Sequence, residues 1–179
     1  MTRTLYLFAS AAPPVFDIAG VVEDAQARGF DVCVGLTPTA AGWLEGSLDG
    51  LAVLSGHPVR WEYKRPGDAD VWPKADVIAF APATFNSVNA WAQGITRDFV
   101  IGVVAEGIGK DIPIVTMPCV NAAYARHRAF QRSVEELREM GVEVLYGEGA
   151  FVPNQPGQGR PEEYPWGVLL DAVVRRVGT

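Results

Sequence analysis

The run Ala75-Asp-Val-Ile-Ala-Phe-Ala-Pro-Ala-Thr-Phe-Asn-Ser87 decides how the chain is read. Its first half is a short apolar stretch behind a polar lead, the pattern of a strand buried on both faces. Pro82 stops it, and the small and hydroxyl residues that follow open a helical pattern over about Phe85 to Gln93. Strand, loop and helix in this order build parallel sheets, because a parallel neighbour is reached only through a crossover connection.

The same unit recurs on both sides. Thr4 to Ala9 is an apolar, β-forming run, interrupted by Ser10-Ala-Ala-Pro-Pro14 before a helical pattern carried by Val15, Ile18, Ala19, Val22 and Ala25. Gly29 stops that helix, and Phe30 to Leu36 is a second strand leading into Thr37-Pro-Thr-Ala-Ala41 and a short helix. Downstream, a helical segment over Phe99 to Gly107 precedes the strand in Lys110 to Pro118. After Asn121 the spacing predicts the longest helix, with Tyr124, Phe130, Val134, Leu137 and Met140 near one face, ended by Gly141 and followed by a fifth strand over Val142 to Tyr146. Gly46 to Lys74, with Pro58, Pro66 and Pro73, is weaker, and Val59 to Tyr63 fits an edge strand or an extended excursion. Residues 147–166 read as a flexible flap because of the Gly and Pro residues between Pro153 and Gly159, and Trp166 to Val177 as a closing helix.

The prediction is a single α/β domain over residues 1–179: a three-layer, doubly wound, Rossmann-like parallel sheet with helices on both faces and a ligand crevice outside the carboxyl ends of its strands. At 179 residues and 49% hydrophobic, the chain is long enough to bury one substantial core. A net charge of −6 argues against partners bound through nucleic-acid phosphates. No apolar run approaches the roughly 20 residues of a membrane span, and Met1 to Ser10 lacks the pattern of a signal peptide, so a cytoplasmic protein is expected. Cys33 and Cys119, each in an apolar stretch, fit buried thiols in a reducing compartment.

The strand ends carry the candidate site. Ser10 follows the first strand, Thr37 and Thr39 the second, Ala83 and Thr84 the third, and Asn121 the fourth. Each could simply cap a helix. Together in one crevice, small side chains, hydroxyls and helix amino-terminal N–H groups favour a phosphorylated ligand. Neither Gly-x-Gly-x-x-Gly after the first strand nor a Gly-x-x-x-x-Gly-Lys-Ser/Thr loop is present, which favours FMN over a dinucleotide or ATP.

Ala81-Pro-Ala-Thr-Phe-Asn-Ser87, with Trp91-Ala-Gln-Gly-Ile95 after it, resembles the Pro-Ala-Ser-Ala-Asn-Thr motif of the homo-oligomeric flavin-containing cysteine decarboxylases, which include phosphopantothenoylcysteine decarboxylase and the lantibiotic peptidyl-cysteine decarboxylases. The resemblance implies that Ala83, Thr84, Phe85 and Asn86 hold a flavin ring. Pro118-Cys-Val-Asn-Ala-Ala-Tyr124 resembles the family's Pro-x-Met-Asn-x-x-Met-Trp motif, in which the Asn binds the substrate carboxylate, and implies that role for Asn121. Val120, Tyr124 and Ala125 depart from the motif. Arg126, His127, Arg128 and Arg132 set positive charge against the start of the predicted helix, which suits either an anionic ligand or a solvated basic face. Gly157-Gln-Gly-Arg160 is similar to the end of the family's substrate clamp, with Pro153 where the clamp's catalytic Cys would stand.

Asp68 occupies the position of the family's catalytic His, and His57 lies 11 residues earlier, so these two are the candidate acid/base groups. The resemblance implies an FMN-dependent oxidative decarboxylase of a small-molecule or peptide thiol carboxylate, working as a homo-oligomer, a trimer or a dodecamer. The alternative is a non-catalytic FMN-binding regulatory or structural member of such an oligomer.

Overall fold

The computed structural model describes residues 2–178. Five parallel strands form one sheet: β1 (Arg3–Ala9), β2 (Phe30–Leu36), β3 (Val77–Ala83), β4 (Ile114–Pro118) and β5 (Glu143–Val144), in the spatial order β2-β1-β3-β4-β5. From β1 the chain first goes to one neighbour, β2, and later returns to the other, β3, so the order reverses between β1 and β3. The crevice of a doubly wound sheet opens at such a reversal.

The helices described are α1 (Ile18–Ala27), α2 (Pro38–Trp43), α3 (Leu48–Ser55), α4 (Phe85–Ala92), α5 (Phe99–Gly109), α6 (Ala122–Ala125), α7 (Arg128–Glu139) and α8 (Trp166–Val177). β3 and β4 are buried along their whole length, as the unbroken apolar runs in the sequence require. One core unites all five strands with the inner faces of the helices, among them Val22 of α1, Val104 of α5, Leu137 of α7 and Leu169 of α8. Each such side chain contributes about 1.5–3 kcal/mol on burial. α8 packs on β3 and β4, while α4 packs against both α5 and α7. None of the helices among the described residues is long and apolar enough to cross a membrane.

Two sequence expectations change. The helix expected after Asn121 is broken: α6 is a four-residue turn, and α7 starts afresh at Arg128 with the His127 Nδ1 accepting from the Ala129 N–H at 3.1 Å. The break lets Asn121 and His127 each cap a separate start, which one continuous helix would forbid. β5 is also shorter than Val142 to Tyr146, because after Val144 the Leu145 N–H still donates to Thr116 O but Tyr146 turns to bridge Phe151.

The segment between α3 and β3 is an excursion with one strand-like contact. The Arg60 N–H donates to Val34 O and the Leu36 N–H donates to Arg60 O, which covers the free edge of β2 at one point. Trp72 anchors the return, buried against Tyr6 at a centroid distance of 4.9 Å and donating its indole N–H to Pro58 O at 2.8 Å. The Arg60 guanidinium lies 4.1 Å from the Phe99 ring centroid and 5.2 Å from that of Trp72. This packing leaves no room above Gly35, where an added Cβ would overlap the Phe8 ring. Gly35→Ala should therefore lower the stability to urea by about 1–3 kcal/mol through overpacking; an unchanged unfolding midpoint would show that the ring can move aside.

Candidate active site

At the ends of β1, β3 and β4 the short connections and the flap enclose a cavity of about 670 Å³. Ala11 to Pro14 line it after β1, Thr84, Phe85 and Asn86 after β3, and Cys119, Val120, Asn121 and Tyr124 after β4. The flap contributes the wall from Ala150 to Pro165, including Asn154, Gln155, Arg160 and Glu163. That volume lies within the roughly 300–1,000 Å³ range of cofactor and ligand pockets.

The floor is held by Ser10. Its hydroxyl donates to Pro82 O at 2.8 Å and accepts from the Thr84 N–H at 3.0 Å, while its own N–H donates to the same Pro82 carbonyl at 2.9 Å. A serine has one hydroxyl proton, so Ser10 has none left for a ligand. It ties two strand ends together beneath the cavity. Ala83 is buried in the same floor, its carbonyl accepting from the Cys119 N–H at 2.9 Å.

Thr84 caps α4, accepting from the Ser87 N–H at 3.3 Å and donating to the Ser87 hydroxyl at 3.1 Å. Thr37 is the buried cap of α2, and Thr39 lies exposed in the first turn of that helix. Neither threonine lines the cavity, which rises over β1, β3 and β4 and does not reach the β2 end. The expected seven-residue cofactor set thus divides: Thr84, Phe85 and Asn86 face the cavity, Ser10 and Ala83 support it from below, and Thr37 and Thr39 stand to one side.

Asn121 is oriented by its own turn. Its side-chain oxygen accepts from the Tyr124 N–H at 3.0 Å, which leaves the amide NH₂ as the free donor. The Asn86 side chain, exposed at the same cavity, makes no hydrogen bond among the described residues. The two amides are thus available to acceptors such as carboxylate or ring carbonyl oxygens.

The acid/base candidates lie elsewhere in this chain. His57 pairs with Asp31 at 2.8 Å, and Asp31 belongs to the amino end of β2, away from the carboxyl ends that form the cavity. Asp68 is exposed in a turn of the excursion, where its carboxylate accepts from the Arg65 N–H at 2.8 Å. Neither lines the cavity. Arg126, Arg128 and Arg132 are likewise exposed and outside its lining, as a solvated basic face would be.

The flap is docked by contacts that the Gly and Pro content of the sequence did not reveal. The Ala122 N–H donates to Asn154 O at 2.8 Å, and the buried Tyr164 hydroxyl donates to Met117 O at 2.6 Å. Burial, and secondarily the neighbouring Cys119, push the Tyr164 phenol well above its ordinary pKa, so it remains a donor. Cys119, expected to be a buried core thiol, is instead partly exposed in the cavity wall, and burial pushes its thiol up to about 11. Cys33 is buried within β2 and pushed up to about 12, by burial first and then by Asp31. At the rim Arg160 pairs with Glu163 at 3.0 Å.

The family model described as Flavoprotein matches residues 2–178. No curated protein sequence matches. Among solved structures, the chain is similar to the FMN-dependent cysteine decarboxylase SpaF, with a TM-score of 0.71 and 22% identity over 96% of this chain and 98% of that one. It is similar to a mutant of PPC decarboxylase, with a TM-score of 0.71 and 15% identity over 96% and 95% of the two chains. It is also similar to the FMN-binding protein AtHal3, with a TM-score of 0.69 and 15% identity over 90% and 92%. These likenesses establish the shared fold.

Two measurements check the wall chemistry. With its thiol at about 11, Cys119 should alkylate at pH 8 roughly 100-fold more slowly than an unperturbed cysteine and accelerate through pH 9 to 11, because only the thiolate reacts; Cys33 should stay unlabelled. Fast labelling of Cys119 at pH 8 would contradict its desolvation. Tyr164→Phe removes the bond to Met117 O and should cost about 1 kcal/mol, with faster hydrogen exchange confined to the flap.

Proposed function

The chain belongs to the Flavoprotein family, and from that premise we propose that it binds FMN in this cavity and oxidatively decarboxylates a cysteine-type thiol carboxylate. The observation that carries the reading is the pairing of the oriented Asn121 amide with the free Asn86 amide in one crevice at the sheet's reversal point. A flat, hydrogen-bonding ring and a carboxylate are ligands that suit a cleft of mixed polarity presenting these two amides.

The residues present fit the ring of the cofactor. Thr84, Phe85 and Asn86 would hold the flavin ring, with Ala11 to Pro14 approaching it from β1. The chemistry FMN would supply when bound is acceptance of hydride from the carbon bearing sulfur; with the thiol proton passing to solvent water, CH₂–SH would become a thioaldehyde whose C=S takes up the electron pair of the departing CO₂ and leaves an enethiolate. The protein's part is to place the substrate. Asn121 holds the carboxylate through its NH₂, and the flap excludes water from the cleft when closed. Cys119, neutral near pH 7, does not act as a base there.

A second reading is an FMN-binding regulatory or structural member of a decarboxylase-like oligomer. Its support is specific: no histidine lines the cavity, and Pro153 stands where a clamp thiol was expected. We further propose a cytoplasmic homo-oligomer, a trimer or dodecamer, in which Phe16 and Trp43, exposed yet stacked in parallel at 5.8 Å, face another subunit. Light scattering at a single-subunit mass would overturn that assembly.

The deciding experiment is reconstitution with FMN, followed by flavin absorbance and CO₂ release from cysteine-ended compounds. Asn121→Asp keeps a capping oxygen but replaces the amide donor with a negative charge. It should preserve folding and flavin absorbance while lowering turnover by about 100-fold or more, since a like charge in the cavity opposes the carboxylate and the amide donor is lost. FMN binding without CO₂ release from any thiol carboxylate would select the second reading; failure to bind FMN would reject both.

A further inference from the structure

Resting on the decarboxylase reading, we infer that Tyr124, backed by Phe85, forms an aromatic wall that selects substrates carrying a flat apolar side chain on the residue before the carboxylate-bearing one. The Tyr124 and Phe85 rings stack at 4.5 Å with 30° between planes, and both line the cavity. Behind them Phe130, fully buried, lies 6.4 Å from Phe85 at 20°, and His127 meets the Phe85 ring edge-on at 5.5 Å. The wall is thus backed by packed rings on the inner side. Its outermost member, Tyr124, remains 51% exposed.

Its distance from the carboxylate anchor is fixed by the backbone. Asn121 caps α6 by accepting from the Tyr124 N–H, so anchor and ring belong to one turn. Residues three apart on a turn stand about 5–6 Å apart at Cβ. An extended substrate advances about 3.3 Å per residue, so with its terminal carboxylate on Asn121 the side chain reaching Tyr124 is that of the preceding residue. A stacked aromatic surface favours a flat partner there over a charged one, whose lost hydration it does not replace.

The test uses the FMN-reconstituted protein and acetylated tripeptides ending in cysteine with Phe, Leu, Ser or Asp before it, followed by kcat/KM for CO₂ release. Phe should exceed Ser by roughly 3–10-fold, the worth of one aromatic contact, with Asp lowest. Tyr124→Ala should abolish the preference, and Tyr124→Phe should retain it. A parallel calorimetric series with alanine in place of the terminal cysteine reads binding without chemistry. If neither these peptides nor any small-molecule thiol carboxylate is decarboxylated, the function proposal fails, yet a Phe-over-Ser binding preference lost in Tyr124→Ala still supports the wall. Equal affinity and turnover across the series overturns the wall while leaving decarboxylation intact. A Tyr124→Ala protein that loses FMN affinity but keeps the peptide preference assigns the rings to the flavin and also overturns the proposal.

Discussion

The Ser10 hydroxyl, set between the Pro82 carbonyl and the Thr84 N–H, is the joint on which the site depends. It fastens the end of β1 to the end of β3 at the place where the strand order reverses. Because both of its hydrogen bonds are internal, the floor is fixed before any ligand arrives. The Cys119 N–H on the Ala83 carbonyl extends the same floor to β4. Three connections with no regular structure in common are thereby held to one geometry, which is what positioning two short amide side chains at a ligand requires.

Above that floor, polarity is arranged by side-chain economy. Thr84 and Asn121 each cap a helical start, but the consequences differ. The threonine hydroxyl is used in full by Ser87, whereas the asparagine uses only its oxygen and keeps its NH₂. Capping therefore leaves the Asn121 NH₂ unused within the chain and fixes its direction. The thiol and phenol nearby, Cys119 and Tyr164, are both pushed toward their neutral forms by burial, so these two groups add no charge to the cavity wall.

The flap and the excursion show how loops gain order without regular structure. Each is docked by an aromatic side chain donating to a backbone carbonyl outside the segment, Tyr164 to Met117 and Tyr63 to Thr96, and Trp72 closes the excursion on itself at Pro58. An amphipathic ring removes apolar area from water and satisfies a carbonyl at the same time. Gly and Pro content identified both segments as irregular but said nothing of where they dock, because the docking partners lie 47 and 33 residues away.

The sequence by itself determined the five-strand parallel sheet, most of its helices though not α3 or the break between α6 and α7, and the strand ends that line the cavity. Apolar runs such as Val77 to Ala83 and the periodic face of Phe130, Val134 and Leu137 are local signals, set by burial and by side-chain period. Membership of Thr84, Phe85, Asn86 and Asn121 in one cavity followed from those positions. Only the tertiary structure decided that Ser10 is a strand clamp, that Thr37 and Thr39 stand aside, that His57 pairs with Asp31 at the opposite end of the sheet, and that Cys119 and Tyr124 reach the cavity. A hydroxyl or imidazole reads the same in sequence whether its partner is a ligand or a distant carbonyl or carboxylate. The choice is made by which hydrogen bonds the packed chain brings within about 3 Å.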